Sequence, residues 1–247
     1  SLGWWRTANE HRLQGRDGLM ISGLVSRLRS DRQGTPQVSG QSAKKGGFSS
    51  WYQSSYQILP KGQSTGTLDG PNVYLRAPDK RDCDQWLAVR RESADFLRPW
   101  EPLWPEDDVT PRGYQRRLAQ YRKDAKDGRS LPYFIFATQT NQLLGGINLS
   151  NIRRGVCQSG SVGYWMGQKH AGKGFMYEAM AMLLPHLFGH NALHRIEAAC
   201  LPHNHRSIAL LQRLGFQHEG LARQYLCING RWEDHLLFAV LRSDYGQ

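Results

Sequence analysis

Apolar positions fall into two regimes along the 247-residue chain, and the change comes near residue 70. From Asn72 onward the spacing switches repeatedly between the period-2 alternation of strands and the wider period of helices. Residues 72–77 (NVYLRA) alternate as a strand, and Pro78-Asp79 opens a helix expected to reach about Arg91. Thr110-Pro111 has the cap-then-proline form of a helix start, and this helix is expected to run to about Ala125 and stop at Gly128. Residues 133–138 (YFIFAT) and 143–152 (LLGGINLSNI) read as strands joined by a tight turn through Asn141. Residues 161–167 form a further strand, followed by a glycine-rich loop and a helix over residues 174–188 that Pro185 is expected to bend or shorten. Residues 195–201 read as a strand and 205–214 as a helix ended by Gly215. Two closing strands, 224–228 and 235–241, form a hairpin across Asn229-Gly230, a dipeptide suited to a tight turn.

The first 70 residues lack such a pattern. They hold 11 Gly, 11 Ser and 7 Gln, with nine Lys/Arg against four Asp/Glu, and between residues 31 and 47 the only aliphatic side chains are Val38 and Ala43. A segment of this kind buries too little surface to offset its ordering entropy. Residues 19–28 are expected to form at most a turn or two of helix, weakened by Gly23. Residues 1–70 therefore read as a flexible basic extension, inert rather than an RNA-touching arm, and residues 71–247 as one α/β domain. The start shows no charged-then-apolar layout of a secretory signal.

Composition excludes several classes. Hydrophobic residues make up 39% of the chain, enough for a core, so wholesale disorder is excluded. No apolar run approaches the ~18–20 residues of a membrane-spanning helix. The four cysteines contain no CxxC pair, which argues against a disulfide scaffold or a cysteine zinc site and for a reducing cytoplasm. A formal net charge of +11 points to acidic partners without saying which.

The segment from Gly167 to Gly174 (GQKHAGKG) lies between a strand and a helix. Its glycines let successive N–H groups turn inward as an anion nest at a helix N-terminus, with Lys169 and Lys173 adding charge. Gly167 to Lys173 even has the G-x-x-x-x-G-K spacing of an ATP loop, but Gly174 stands where that motif needs a magnesium-binding hydroxyl. A diphosphate held without metal passes this test. His186 and His190 are four apart without the HExxH pattern, so no metal site is expected.

That loop, followed by Asn204-His205-Arg206-Ser207 and Leu214-Gly215-Phe216, resembles the GNAT superfamily of acetyl-CoA-dependent N-acetyltransferases. Residues 96–102 (FLRPWEP), 150–155 (SNIRRG) and 230–235 (GRWEDH) narrow the resemblance to its RimJ-type ribosomal-protein-alanine branch, over roughly residues 72–242. The resemblance implies a mixed, mostly antiparallel twisted sheet with a splayed parallel strand pair and helices on both faces. It also implies acetyl-CoA as co-substrate, no metal, and a ribosomal protein N-terminus as acceptor. Binding to the ribosome or pre-ribosomal RNA through the basic surface is a further possibility; no membrane is expected. A GNAT acting on a small-molecule amine, or a ribosome-assembly factor with incidental acetylation, are the other readings.

In that frame Tyr164, Trp165 and Met166 flank the pantetheine, and a main-chain N–H near Met166 supports the oxyanion. Gln168, Lys169, His170, Ala171, Gly172, Lys173 and Gly174 cradle the diphosphate, beside Phe175. Asn204 fixes cofactor and loop or simply caps its helix, and Ser207 donates a proton to the coenzyme sulfur, with Tyr225 the alternative acid. Trp100 and Glu101 line the peptide-entry groove, Glu101 receiving the substrate's ammonium group. The strand over residues 161–167 carries no Asp or Glu, so proton removal is expected to run through water to a more distant carboxylate, Glu219 or Glu101. An α-amine with a pKa of ~7.7–8.0 is roughly one-tenth neutral at pH 7 and asks little of such a base.

Overall fold

The computed structural model describes residues 66–245. Of the stretch assigned to the extension, all but the last five residues lie outside this range, the short helix expected near residues 19–28 included. Strands β1 (Leu68–Asp69), β2 (Val73–Arg76), β3 (Leu131–Ala137), β4 (Leu143–Arg153), β5 (Ser159–Met166), β6 (Arg195–Cys200), β7 (Gln217–Ile228) and β8 (Arg231–Leu241) build one sheet in the order β1-β2-β3-β4-β5-β6-β8-β7. Every neighbouring pair is antiparallel except β5 with β6. The sheet begins at Leu68, ahead of the boundary expected at residue 71.

Helices cover both faces. On one side α1 (Cys83–Glu92), the short α2 (Ala94–Leu97) and α3 (Pro111–Lys126) precede β3, and Trp86, Tyr114 and Leu118 pack on Phe134 and Phe136. On the other, α4 (Phe175–Gly189) and α5 (His205–Arg213) pack on Tyr133, Ile135, Val162 and Phe238. Alternate side chains of β3 thus enter two cores, which is why its sequence is apolar throughout rather than alternating. The Thr110 hydroxyl accepts the Gly113 amide at 3.1 Å and starts α3 as its sequence predicts.

α4 ends at Gly189, close to the end expected near residue 188, so Pro185 does not shorten it. Leu187 and Phe188, beyond the proline, are fully buried. Burying each contributes about 1.5–3 kcal/mol, which together offsets the roughly 3 kcal/mol an interior proline costs. The closing hairpin is longer than expected, because β7 starts at Gln217 and β8 at Arg231. β7 is the sheet edge and its first half is mostly exposed, so no apolar alternation marks it.

Candidate active site

The parallel pair opens after three residues. Ser159, Gly160 and Ser161 of β5 are in register with Arg195, Ile196 and Glu197 of β6, and beyond them no pairing joins the two strands. Each keeps its outer neighbour: β5 pairs with β4 up to Met166, and β6 with β8 up to Cys200. The inner edges of residues 162–166 and 198–200 are therefore a seam of main-chain groups open to an extended ligand.

At the end of β5 the chain enters the glycine loop. The Gly167 amide donates to the Leu144 carbonyl (2.8 Å) and the Gln168 amide to the Ser93 hydroxyl (2.9 Å), which fastens the loop to the sheet and to the end of α1. The His170 and Ala171 amides turn back onto the Gly167 carbonyl at 2.9 and 3.0 Å. Of the amides expected to receive a diphosphate, these are spent within the turn. Among the described residues no acceptor meets the amides of Gly172, Lys173, Gly174, Phe175 or Met176, so the free donors sit at the N-terminus of α4. Gly172 and Gly174 have φ of 76° and 84°, a backbone region glycine enters without steric cost. Lys169 pairs with Glu92 at 2.8 Å. Burial, then the neighbouring Lys173, hold the His170 imidazole below its ordinary range. Phe175 and Met176 pack into the larger core.

A hydrogen bond crosses from β5 to α5. The Tyr164 hydroxyl lies 2.6 Å from Ser207 Oγ, and burial pushes the Tyr164 phenol well above its usual range. Burial pushes the Cys200 thiol up to about 11, so it is protonated at neutral pH. Asn204 accepts the Ser207 amide at 3.2 Å and caps α5. Trp165, the next residue on β5, faces the opposite side and packs into the smaller core. Gly146 makes room for it: a Cβ there would lie 2.8 Å from the Trp165 ring nitrogen.

Residues 98–104 form a strap between the loop after β6 and the tip of the β7–β8 hairpin. Glu101 is 9% exposed, and its carboxylate accepts two hydrogen bonds from Arg90, each 2.7 Å, and one from Trp104 Nε1 at 2.7 Å. Arg90 is only 1% exposed and its guanidinium lies over Trp104 (4.0 Å) and near Trp165 (5.1 Å). Glu101 is thus the counter-ion of a buried arginine, not a free carboxylate awaiting an ammonium group, because a buried guanidinium left unpaired is costly. Trp100 meets the ring of His203 at 5.4 Å, and the Asn229 amide donates to the Glu101 carbonyl at 2.9 Å. The strap is held on one side by the loop after β6 and on the other by the tip of the β7–β8 hairpin.

Tyr225 is 46% exposed and sits in a bulge between Ala222 and Leu226. Gln224, with φ 45°, gives its amide to Asp234 (2.8 Å), and the bulge aims Tyr225 at His235, ring centroids 6.0 Å apart. Glu219 binds Arg195, which holds its carboxyl below the usual range, so both carboxylates considered as distant bases are committed to arginines. The structure therefore brings Tyr164, Ser207 and Asn204 together at the seam, with Trp100 and Glu101 in the strap and Tyr225 beside His235 on the closing hairpin. Sequence reasoning missed Ser93 and Arg90, which carry no local spacing signal, and gave no role to His235, the last residue of the GRWEDH stretch that carried the resemblance. Among the described residues no group of three or more His, Cys, Asp or Glu is arranged to hold a metal.

A mostly antiparallel sheet whose one parallel pair opens beside a glycine loop at a helix N-terminus is the architecture of an acyltransferase. The model of the acetyltransferase (GNAT) domain family matches residues 72–217, and the chain belongs to that family. It is 40% identical over 178 residues to the ribosomal protein uS5-alanine N-acetyltransferase of Escherichia coli, covering 72% of this chain and 92% of that one. Among solved structures it resembles Mycobacterium smegmatis RimJ in complex with a CoA-disulfide (34% identity, TM-score 0.69, 74% and 88% covered). It also resembles the ribosomal-protein-S5-alanine acetyltransferase of Vibrio fischeri (31%, TM-score 0.68, 73% and 98% covered).

Two outcomes follow from this geometry. Arg90→Ala leaves Glu101 and Asp108 buried without their shared cation and should lower unfolding free energy by about 3–5 kcal/mol in urea titration. An Arg90→Met, Glu101→Leu double variant should recover part of that loss. Gly174→Val forces a β-branched residue to φ 84° and should raise the dissociation constant for acetyl-CoA at least about tenfold by calorimetry, a left-handed residue costing roughly 1–2 kcal/mol.

Proposed function

We propose that this N-acetyltransferase moves acetyl from acetyl-CoA to the N-terminal α-amine of a protein, an N-terminal alanine of a small-subunit ribosomal protein being the favoured acceptor. The observation that carries this reading is the 40% identity, over 92% of its length, to an enzyme named for that substrate. The neighbour from Mycobacterium smegmatis is a complex with a CoA-disulfide. The residues here suit the same ligand: unpaired edges along the seam for the pantetheine amides, and unmet amides from Gly172 to Met176 for the diphosphate. Such a substrate puts the enzyme in the cytoplasm, and the net charge of +11 favours encounter with RNA-rich particles.

In this reading the main-chain N–H near Met166 supports the oxyanion as the amine attacks the thioester. Ser207 then protonates the departing thiolate. Its Oγ lies 2.6 Å from the Tyr164 hydroxyl, so a phenol whose proton burial retains can resupply it. Asn204 holds Ser207 in place through the cap of α5.

Intact-mass measurement should show one acetyl group added to an alanine-starting ribosomal protein and none once its N-terminus is blocked; modification of lysine side chains instead would overturn the reading. Ser207→Ala should lower kcat about 10²-fold, a typical contribution of general acid catalysis, and Tyr225→Phe by less than tenfold. The reverse ranking would make Tyr225 the proton donor.

A further inference from the structure

With Glu101 and Glu219 both bound to arginines and no carboxylate on β5, the acceptor's proton needs another destination. His235 is 2% exposed. Its neighbours Leu236 and Phe238 pack into the larger core, and side chains alternate along a strand. His235 therefore faces the other way, toward the side of the sheet where Trp165 lies. On β8 it stands between the two fastenings of the strap: the turn at Asn229 precedes it, and Leu236 pairs with Cys200, just ahead of the loop carrying His203.

Its ring is fixed. Nδ1 lies 3.0 Å from the Glu233 carbonyl oxygen, a contact that requires Nδ1–H to donate and so leaves the lone pair on Nε2. Nε2 has no hydrogen-bond partner among the described residues. Burial, the largest influence, keeps the imidazole below its ordinary range despite Glu233 and Asp234 on its own strand. From β7 the titratable group against it is Tyr225, edge-on. On β6, Arg195 and Glu197 pair with Leu241 and Ala239 at the far end of β8 and bind each other.

We infer that His235 is the proton acceptor of the transfer, a deepening that rests on the reading above. Nε2 takes a proton from the incoming ammonium group and becomes imidazolium. The freed nitrogen pair forms the C–N bond to the thioester carbon, whose carbonyl pair moves to oxygen. As the carbonyl re-forms, the C–S bond breaks with its pair on sulfur; the hydroxyl acid protonates the thiolate and recovers its proton, through water, from the cationic amide nitrogen. Imidazolium then returns its proton to water.

The test is kcat/KM against pH for the full chain with an alanine-starting peptide, for wild type, His235→Gln and Glu233→Gln, with thermal melts run alongside. Glutamine keeps bulk and polarity but has no basic nitrogen. His235→Gln should lose about 10²-fold in kcat/KM at pH 7, mainly in kcat. It should also lose the enzyme's acid limb below pH 6.5, leaving only the ionisation of the peptide amine. A His235→Ala variant should regain turnover with added imidazole, a rescue that a merely structural role would not give and that remains informative if the glutamine variant folds poorly. Retained activity with an unchanged acid limb in His235→Gln, or loss of that limb in Glu233→Gln alone, overturns the inference while leaving the proposed substrate intact. A wild type inactive on the peptide overturns both.

Discussion

The structure depends on one departure from sheet regularity: β5 and β6 must part after three residue pairs. Buried main-chain groups without partners are expensive, so a gap of this kind survives only where each strand is secured elsewhere. β5 has β4 along nearly its whole length, and β6 has six residue pairs with β8. The parallel direction of the pair also matters. It requires a crossover connection, and α4 supplies it, so the same topological rule that permits the seam delivers a helix N-terminus to its end. The seam and the unmet amides are consequences of one connection.

The strap is held by a different kind of force. The Arg90–Glu101 pair gains little net stability over an apolar pair of the same shape, because removing both charges from water costs several kcal/mol. Its bidentate geometry and the stacking of the guanidinium on Trp104 instead allow one arrangement of the strap. That fixed strap can then be fastened at His203 and Asn229, elements far apart in the chain. Asp108 and Arg117 extend the charged cluster beneath α3, and burial holds the Asp108 carboxyl above its usual range. Arg90 thus serves both Glu101 and Asp108, and Arg117 serves Asp108 again, so no charge of this cluster is buried alone.

The sheet and its helices were largely legible in the sequence because their signals are local. Thr110-Pro111 names a helix start, Asn229-Gly230 a hairpin, and Gly167 to Gly174 a turn into a helix. The exceptions have physical reasons. The first half of β7 borders solvent and so shows no alternation, and α4 passes Pro185 because burial of Leu187 and Phe188 offsets the lost hydrogen bond. The seam was legible only through resemblance, since no residue pattern marks where two strands stop pairing. Arg90 with Glu101, Ser93 with Gln168, and His235 with Tyr225 were not legible at all. Each is a contact between elements whose meeting is decided by the whole topology.

The chemistry and the substrate class constrain each other. β5 offers no carboxylate, and Glu101 and Glu219 are neutralised by arginines, so the base left to the site is an imidazole held below its ordinary range. A lysine amine near pKa ~10.4 would need about 3 kcal/mol more deprotonation than an α-amine near ~7.7–8.0. A site with weak basicity therefore discriminates between the two amines of a polypeptide without any contact that reads the difference. The proposed N-terminal acceptor would fit such a site, because its proton is already loosely held before the substrate arrives.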